Sequence, residues 1–154
     1  MVAEYWLIGI GVLSILFAIF LAFDLKKYSR GTKEMIEISD IIKSGAKSYL
    51  TKQYKILTVV AVIIAVLLSI FINMQTGIAF LFGSFLSGSA GIIGMMIATS
   101  SNARTTEGCR KSLYEGFKIA FSSGVITGII IVSLGLLGVI ISFLVFSDFN
   151  ALFG

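Results

Sequence analysis

The longest uncharged stretch of the chain is Ile56–Ala103, ILTVVAVIIAVLLSIFINMQTGIAFLFGSFLSGSAGIIGMMIATSSNA, with 48 residues and no Asp, Glu, Lys or Arg. Two shorter uncharged runs flank it, over 5–23 and 119–147. A globule of 154 residues cannot hide this much apolar sequence, because a small domain buries only part of the surface that its unfolded chain exposes. A bilayer can, since about 20 apolar residues in a helix span about 30 Å of hydrocarbon. The runs therefore predict an all-α integral membrane protein.

The long run is divided by one turn-like cluster, Asn73-Met74-Gln75-Thr76-Gly77. The chain is then a single membrane domain over 1–154 with transmembrane helices at about 5–23, 56–72, 78–100 and 119–146. All twelve Lys and Arg lie between these segments, in the loops 24–55 and 101–118. Because cations concentrate in cytoplasmic loops, we expect both loops on the cytoplasmic side and both termini outside.

The composition excludes several classes of function. Hydrophobic residues make up 57% of the chain and charged residues only 13%. The basic residues follow the loop pattern of a membrane protein, so we expect the lipid bilayer as a partner and no nucleic acid. Histidine is absent and Cys109 is the single cysteine, which leaves no internal disulfide, no cysteine-based zinc site and no usual general base.

The first loop has a helical pattern of its own. Apolar residues recur along one face, at Met35, Ile38, Ile42, Ala46, Tyr49 and, closing the stripe with a polar amide, Gln53. The opposite face carries Lys33, Glu37, Lys43, Lys47 and Lys52. This pattern predicts an amphipathic helix, which either lies at the membrane interface or continues into the second crossing.

Small residues are concentrated in the third and fourth crossings. Spacings of four separate Ser84 from Gly88, Ser87 from Gly91, Ala90 from Gly94, Gly94 from Ala98 and, on the fourth crossing, Gly124 from Gly128. Such pairs let helices approach closely, and we favour helix packing over the lining of a conduction path. Gly88, Gly91 and Gly94 do not form a phosphate loop, because the spacing fits neither glycine-rich fingerprint and no strand or lysine accompanies them.

Charged residues offer few candidates for chemistry. The four crossings contain no ionisable acid or base, which argues against an ion carrier built on a mid-membrane carboxylate. Glu34, Glu37 and Asp40 are spaced like metal ligands, but neighbouring lysines favour a solvated face. Arg104 could meet an anionic substrate, although a helix C-terminus or a lipid phosphate is favoured. Cys109 has no evident partner, so we predict no catalytic, cofactor-binding or metal-binding residue in this chain.

Three stretches together resemble one family. They are Gly31-Thr32-x-x-Met35 with Ile42-x-x-Gly45-Ala46-x-x-Tyr49-Leu50-x-x-Gln53-Tyr54, then Gly83-x-x-x-Ser87-x-x-Ala90-Gly91-x-x-Gly94-Met95-x-x-Ala98-Thr99-x-x-Asn102-x-Arg104-Thr105, and finally Ala120-Phe121-x-x-Gly124. The set is similar to the first part of the membrane-bound, ion-translocating inorganic pyrophosphatases.

The resemblance implies a larger assembly than this chain. Family members have about sixteen membrane helices, work as homodimers and couple Mg²⁺-dependent pyrophosphate hydrolysis to H⁺ or Na⁺ transport, with a K⁺ requirement left open. Their Asp- and Lys-rich motifs lie on later helices and are missing here. We therefore expect an N-terminal scaffold portion, either a fragment or a split subunit, whose partners are the remaining helices of the pump on the same or a separate chain. The alternative is a stand-alone small membrane interaction protein without catalytic activity.

Overall fold

The computed structural model describes the backbone of residues 2–146 and the side chains of residues 5–145. Four helices follow one another: α1 (Val2–Leu25), α2 (Lys33–Phe71), α3 (Met74–Lys111) and α4 (Leu113–Phe146). Each contains an apolar stretch long enough to cross a membrane. The predicted all-α architecture with four membrane-length helices is confirmed for this part of the chain.

Helix α2 is continuous from the polar loop into the membrane-length segment. It begins after Thr32, whose side-chain oxygen accepts a hydrogen bond from the Met35 backbone N–H at 3.4 Å. Of the two alternatives for the amphipathic segment, continuation into the second crossing is the one observed. Its apolar face is not the packed face, however: Ile38, Ile42 and Tyr49 are exposed, whereas Ser39 is buried.

The predicted turn at 73–77 is shorter than the sequence cluster indicated. Helix α2 ends at Phe71, and Asn73 already caps α3 by accepting the Thr76 backbone N–H at 2.7 Å. Thr76 and Gly77 are therefore buried helical residues rather than turn residues. The cap explains how a two-residue connection can reverse the chain between two long helices.

The expected loop over 101–118 is helical except at one residue. Helix α3 continues to Lys111, Ser112 interrupts it, and α4 starts at Leu113. The Ser112 side chain accepts the Glu115 backbone N–H at 3.1 Å and caps the new helix. Burial of Ser101, Ala103 and Gly108 shows why the helix persists here, since this polar segment packs against its neighbours.

The packing order differs from the order along the chain. Helix α3 packs most extensively on α4, α2 packs on α3, and α1 packs on α4. The core where α1 and α4 meet contains Ala18, Leu25, Ile119, Ile126 and Ile130. Many large apolar side chains elsewhere are exposed, among them Leu13, Phe20, Val59, Phe71 and Phe85, as expected for a surface solvated by lipid.

Candidate functional site

The polar end of the bundle comprises residues 26–43 and 100–118. The chain enters it from α1 and reverses at Gly31, whose backbone φ of +79° is left-handed. The Gly31 N–H donates to the Ser29 side-chain oxygen at 3.0 Å. A Cβ at Gly31 would lie 2.5 Å from the Met35 sulfur and 3.0 Å from Oε2 of Glu107. Glycine is thus required both by the backbone conformation and by the close approach of α3.

Arg104 joins this turn segment to α3. Its Nε donates to the Tyr28 carbonyl oxygen at 3.2 Å, and its Nη1 donates to the Ser100 carbonyl oxygen at 2.6 Å. Partial burial and the positive charge of Arg30 lower the pKa of Arg104 from its ordinary value. An arginine nevertheless keeps its charge at neutral pH. The sequence offered three partners for Arg104: an anionic substrate, a helix C-terminus or a lipid phosphate. The structure shows a contact near a helix C-terminus, with the Tyr28 carbonyl just beyond the end of α1.

A small basic cavity lies beside Arg104. Its volume is about 270 Å³, and it is lined by Lys26, Arg30, Ser39, Lys43, Ser100 and Arg104. Arg30 also pairs with Asp40 at 2.5 Å, with both side chains partly exposed. Four cations thus surround one cavity, and among the described side chains a single carboxylate, that of Asp40, contacts one of them, which leaves a concentration of positive charge.

The candidate acids are not gathered into one site. Glu34 and Glu37 are exposed, and Asp40 contacts Arg30. Glu107 pairs with Arg110 at 3.0 Å beside Gly31. Within residues 2–146 no group of three or more His, Cys, Asp or Glu side chains could hold a metal ion. Cys109 is a free, exposed thiol.

The small residues of α3 mark a close approach to α2. Tyr54 donates from its hydroxyl to the Gly88 carbonyl oxygen at 3.0 Å. Its ring lies over Gly88, where a Cβ would be 3.1 Å from Cε1, and its hydroxyl occupies the space that a Cβ on Gly91 would need. Gly94 faces α4, where a Cβ would be 2.9 Å from Cγ2 of Thr127. Gly88, Gly91 and Gly94 therefore serve helix packing, the role that the sequence favoured over the lining of a conduction path.

Sequence reasoning missed a close crossing that joins α3 to α4 at the polar end. A Cβ on Gly108 would lie 3.1 Å from the backbone Cα and N of Gly116. A Cβ on Gly116 would collide with the Cys109 sulfur and lie 2.9 Å from the Cys109 backbone N. Gly108 lies on α3 and Gly116 on α4, eight residues apart along the chain. A small-residue motif within one helix could therefore not have revealed this crossing.

Other glycines are open, in the sense that an added Cβ would contact no neighbouring helix. Gly124, Gly128 and Gly135 have no atom within 4 Å of an added Cβ, apart from their own helix. Together with exposed Phe117, Phe121, Ile131 and Val139 they form one stripe, the open stripe of α4. Part of this stripe walls an apolar groove of about 1030 Å³ between α2, α3 and α4. The predicted Gly124–Gly128 pair is thus present but faces no helix of the described chain.

The long helices, the lipid-type surface and the unfilled groove define the class as a multi-pass integral membrane protein. A family profile described as "Inorganic H+ pyrophosphatase" matches residues 12–153. The chain belongs to this family of membrane-bound, ion-pumping pyrophosphatases.

Individual relatives agree with the family profile. The chain is 43% identical over 118 residues to the "K(+)-stimulated pyrophosphate-energized sodium pump" of Thermotoga maritima, covering 75% of this chain and 16% of that protein. It is 38% identical over 130 residues to the "K(+)-insensitive pyrophosphate-energized proton pump 2" of Moorella thermoacetica, covering 84% and 19%. It is 36% identical over 146 residues to the "K(+)-insensitive pyrophosphate-energized proton pump" of Methanosarcina mazei, covering 94% and 22%. The chain therefore spans about a fifth of the length of these relatives.

Proposed function

We propose that the chain is the N-terminal scaffold portion of a pyrophosphate-energized ion pump, and that the catalytic helices lie on further polypeptide. The observation that carries the proposal is the combination of family membership over 12–153 with coverage of only 16–22% of the relatives' length. The pumped ion is H⁺ or Na⁺, because relatives of both names match the chain.

The open stripe of α4 supports a packing role. Gly124, Gly128 and Gly135 present bare backbone along about three turns of helix, and the groove beside them is lined by apolar side chains. In a membrane, glycine faces of this kind stabilise helix pairs through close van der Waals contact. A helix from the remainder of the pump would bury this stripe against its own backbone.

The arrangement of the acidic residues supports the proposal that pyrophosphate and Mg²⁺ bind on the remaining helices of the pump. Binding magnesium pyrophosphate needs several converging carboxylates and cations. Four of the six acids whose side chains are described lie instead in separate ion pairs, such as Asp24 with Lys27 and Glu115 with Lys111, and Glu34 and Glu37 are exposed. Mg²⁺, and K⁺ where it is required, would then bind on the remaining helices, and the full assembly would be a homodimer as in the family. The basic loops would face the cytoplasm and the termini the outside.

The test is complementation. The Thermotoga maritima relative, with its segment matching this chain deleted, is co-expressed with the 154-residue chain, and magnesium-dependent phosphate release is measured. We expect the two polypeptides to co-purify with pyrophosphate hydrolysis, and the chain alone to show none. Hydrolysis by the chain alone would overturn the proposal. Co-purification without hydrolysis would favour the alternative, an interaction protein.

A matched pair of variants makes the test specific to the open stripe of α4. Gly128→Leu fills the open stripe of α4, and we expect loss of co-purification. Gly9→Leu makes the same change at another open glycine, on α1 and away from the groove, and should leave co-purification intact. Equal effects of the two substitutions would exclude the open stripe as the docking face.

A further inference from the structure

We propose that the basic cavity at the polar end binds a phosphate group, and that its four cations and the Ser39 hydroxyl form the site. The lining comprises Lys26, Arg30, Ser39, Lys43, Ser100 and Arg104 around about 270 Å³, a volume that accommodates one phosphate with water. This site lies apart from the groove of the proposed function and does not depend on it.

The charge around the cavity calls for an anion. Asp40 neutralises Arg30, but among the described side chains no carboxylate pairs with Lys43 or Arg104, and Lys26 contacts only the face of the Phe23 ring, at 5.3 Å. Like charges held together repel, and a bound anion removes this repulsion. The three cations without a carboxylate partner converge from the α1–α2 segment, α2 and α3.

Arg104 is held in a binding orientation. Its Nε and Nη1 each donate to a backbone carbonyl, which fixes the plane of the guanidinium. Its Nη2 has no partner among the described residues, although the group borders the cavity. A guanidinium whose plane is fixed and whose Nη2 donors are free suits a phosphate oxygen.

Ser39 supplies an independent indication. The residue is only 4% exposed, yet its hydroxyl lines the cavity and hydrogen-bonds to none of the described residues. Some helical hydroxyls in this chain, such as Thr51, Thr58 and Ser89, donate to a carbonyl one turn earlier, whereas Ser39, like the buried Thr76 and Ser133, does not. Because Ser39 lines the cavity, its hydroxyl can hydrogen-bond to water or to a ligand there.

The position of the cavity suggests where the phosphate comes from. Lys26 lies three residues beyond the apolar run 5–23, and Ser100 is the last residue of the apolar part of α3. The cavity is therefore at the level where a bilayer places its headgroups. The phosphodiester of an anionic lipid has the right charge and depth, and free phosphate or pyrophosphate shares the chemistry.

The experiment is native mass spectrometry of the full chain in detergent with short-chain phosphatidylglycerol, phosphatidylcholine or sodium pyrophosphate. We expect phosphatidylglycerol to bind about tenfold or more tightly than phosphatidylcholine, because the cavity favours net negative charge. Competition by millimolar pyrophosphate would assign the site to a free phosphate, and absence of competition would assign it to the lipid. Equal binding of both lipids without pyrophosphate binding would overturn the proposal.

Variants test the residues. Lys43→Gln should weaken phosphate binding about fivefold, and Ser39→Ala about tenfold by removing a hydrogen bond to a charged group. Neither substitution removes a contact within the described fold, so both variants should keep wild-type helicity. Lys52→Gln removes the same charge from α2 outside the cavity and should change binding less than about twofold. If Lys43→Gln and Ser39→Ala bind no worse than Lys52→Gln, the site is elsewhere.

Discussion

The Tyr54 hydroxyl on α2 donates to the Gly88 carbonyl oxygen on α3 at 3.0 Å, and the same hydroxyl fills the space beside Gly91. One side chain thus both hydrogen-bonds to a helix backbone and fits the surface that two glycines leave bare. In lipid, where apolar burial does not drive helix association, such contacts specify which helices pair.

This contact gives a coupled prediction. Gly91→Ala should destabilise the chain by about 1–3 kcal/mol, because its Cβ collides with the Tyr54 hydroxyl. Tyr54→Phe should cost about 0.5–1 kcal/mol through the lost hydrogen bond. In the double variant the alanine should cost much less, since the colliding atom is gone and the next ring atom is 3.8 Å away. Unfolding in mixed micelles with increasing SDS measures all three values, and simple additivity would contradict the geometry.

The crossing of Gly108 and Gly116 predicts a position-dependent cost of alanine on α4. Gly116→Ala should destabilise the chain by about 2 kcal/mol or more, because the new Cβ meets backbone atoms of Cys109 that cannot rotate away. The control is Gly124→Ala on the same helix, which faces open space and should be neutral or stabilising by about 0.5–1 kcal/mol. SDS unfolding midpoints of the two variants provide the comparison.

The left-handed turn gives a second matched pair. Gly31→Ala places a side chain at φ +79° against the Met35 sulfur, and we expect a loss of about 1–2 kcal/mol. Gly45→Ala lies in the helical, exposed part of α2 with nothing near its Cβ, and should stabilise by about 0.5–1 kcal/mol. Effects of the same sign would be inconsistent with the turn described here.

Arg104 should control the order of the segment after α1. Arg104→Gln removes the link to the Tyr28 carbonyl, so amide hydrogen exchange over 26–32 should rise while that over 56–71 stays unchanged. Arg110→Gln is the control, because the Arg110 side chain is 54% exposed and contacts Glu107 instead of the Tyr28 carbonyl. Faster exchange along both segments would indicate general destabilisation instead of a local link.

Cys109 permits a direct test of the proposed orientation. The thiol is exposed, so a membrane-impermeant maleimide should label it in inside-out vesicles and not in intact right-side-out vesicles. Tyr5→Cys in a Cys109→Ser background should show the opposite pattern, because residue 5 lies at the other end of the bundle. Labelling of Cys109 from the exterior would contradict the proposed orientation.

The sequence alone determined the number and nature of the helices. Apolar runs of sufficient length must form helices in lipid, since every backbone N–H and C=O needs a partner within the segment. The position of the reversal between α2 and α3 also followed from sequence, because the turn-like cluster 73–77 contains Asn73, which caps α3. The helical conformation of the polar segment 101–111 was not predicted, because its polar sequence has no apolar stripe and the burial of Ser101, Ala103 and Gly108 depends on neighbouring helices.

Only the tertiary structure decided which residues meet. The order α1, α4, α3, α2 across the bundle, the contact of Arg104 with a carbonyl 76 residues earlier and the division of glycines into covered and open ones all depend on packing. The sequence around a covered glycine such as Gly91, which contacts Tyr54, has the same small-residue spacing as that around an open glycine such as Gly128. Periodicity reports the face on which a residue lies, whereas the partner of that face depends on long-range contacts between helices.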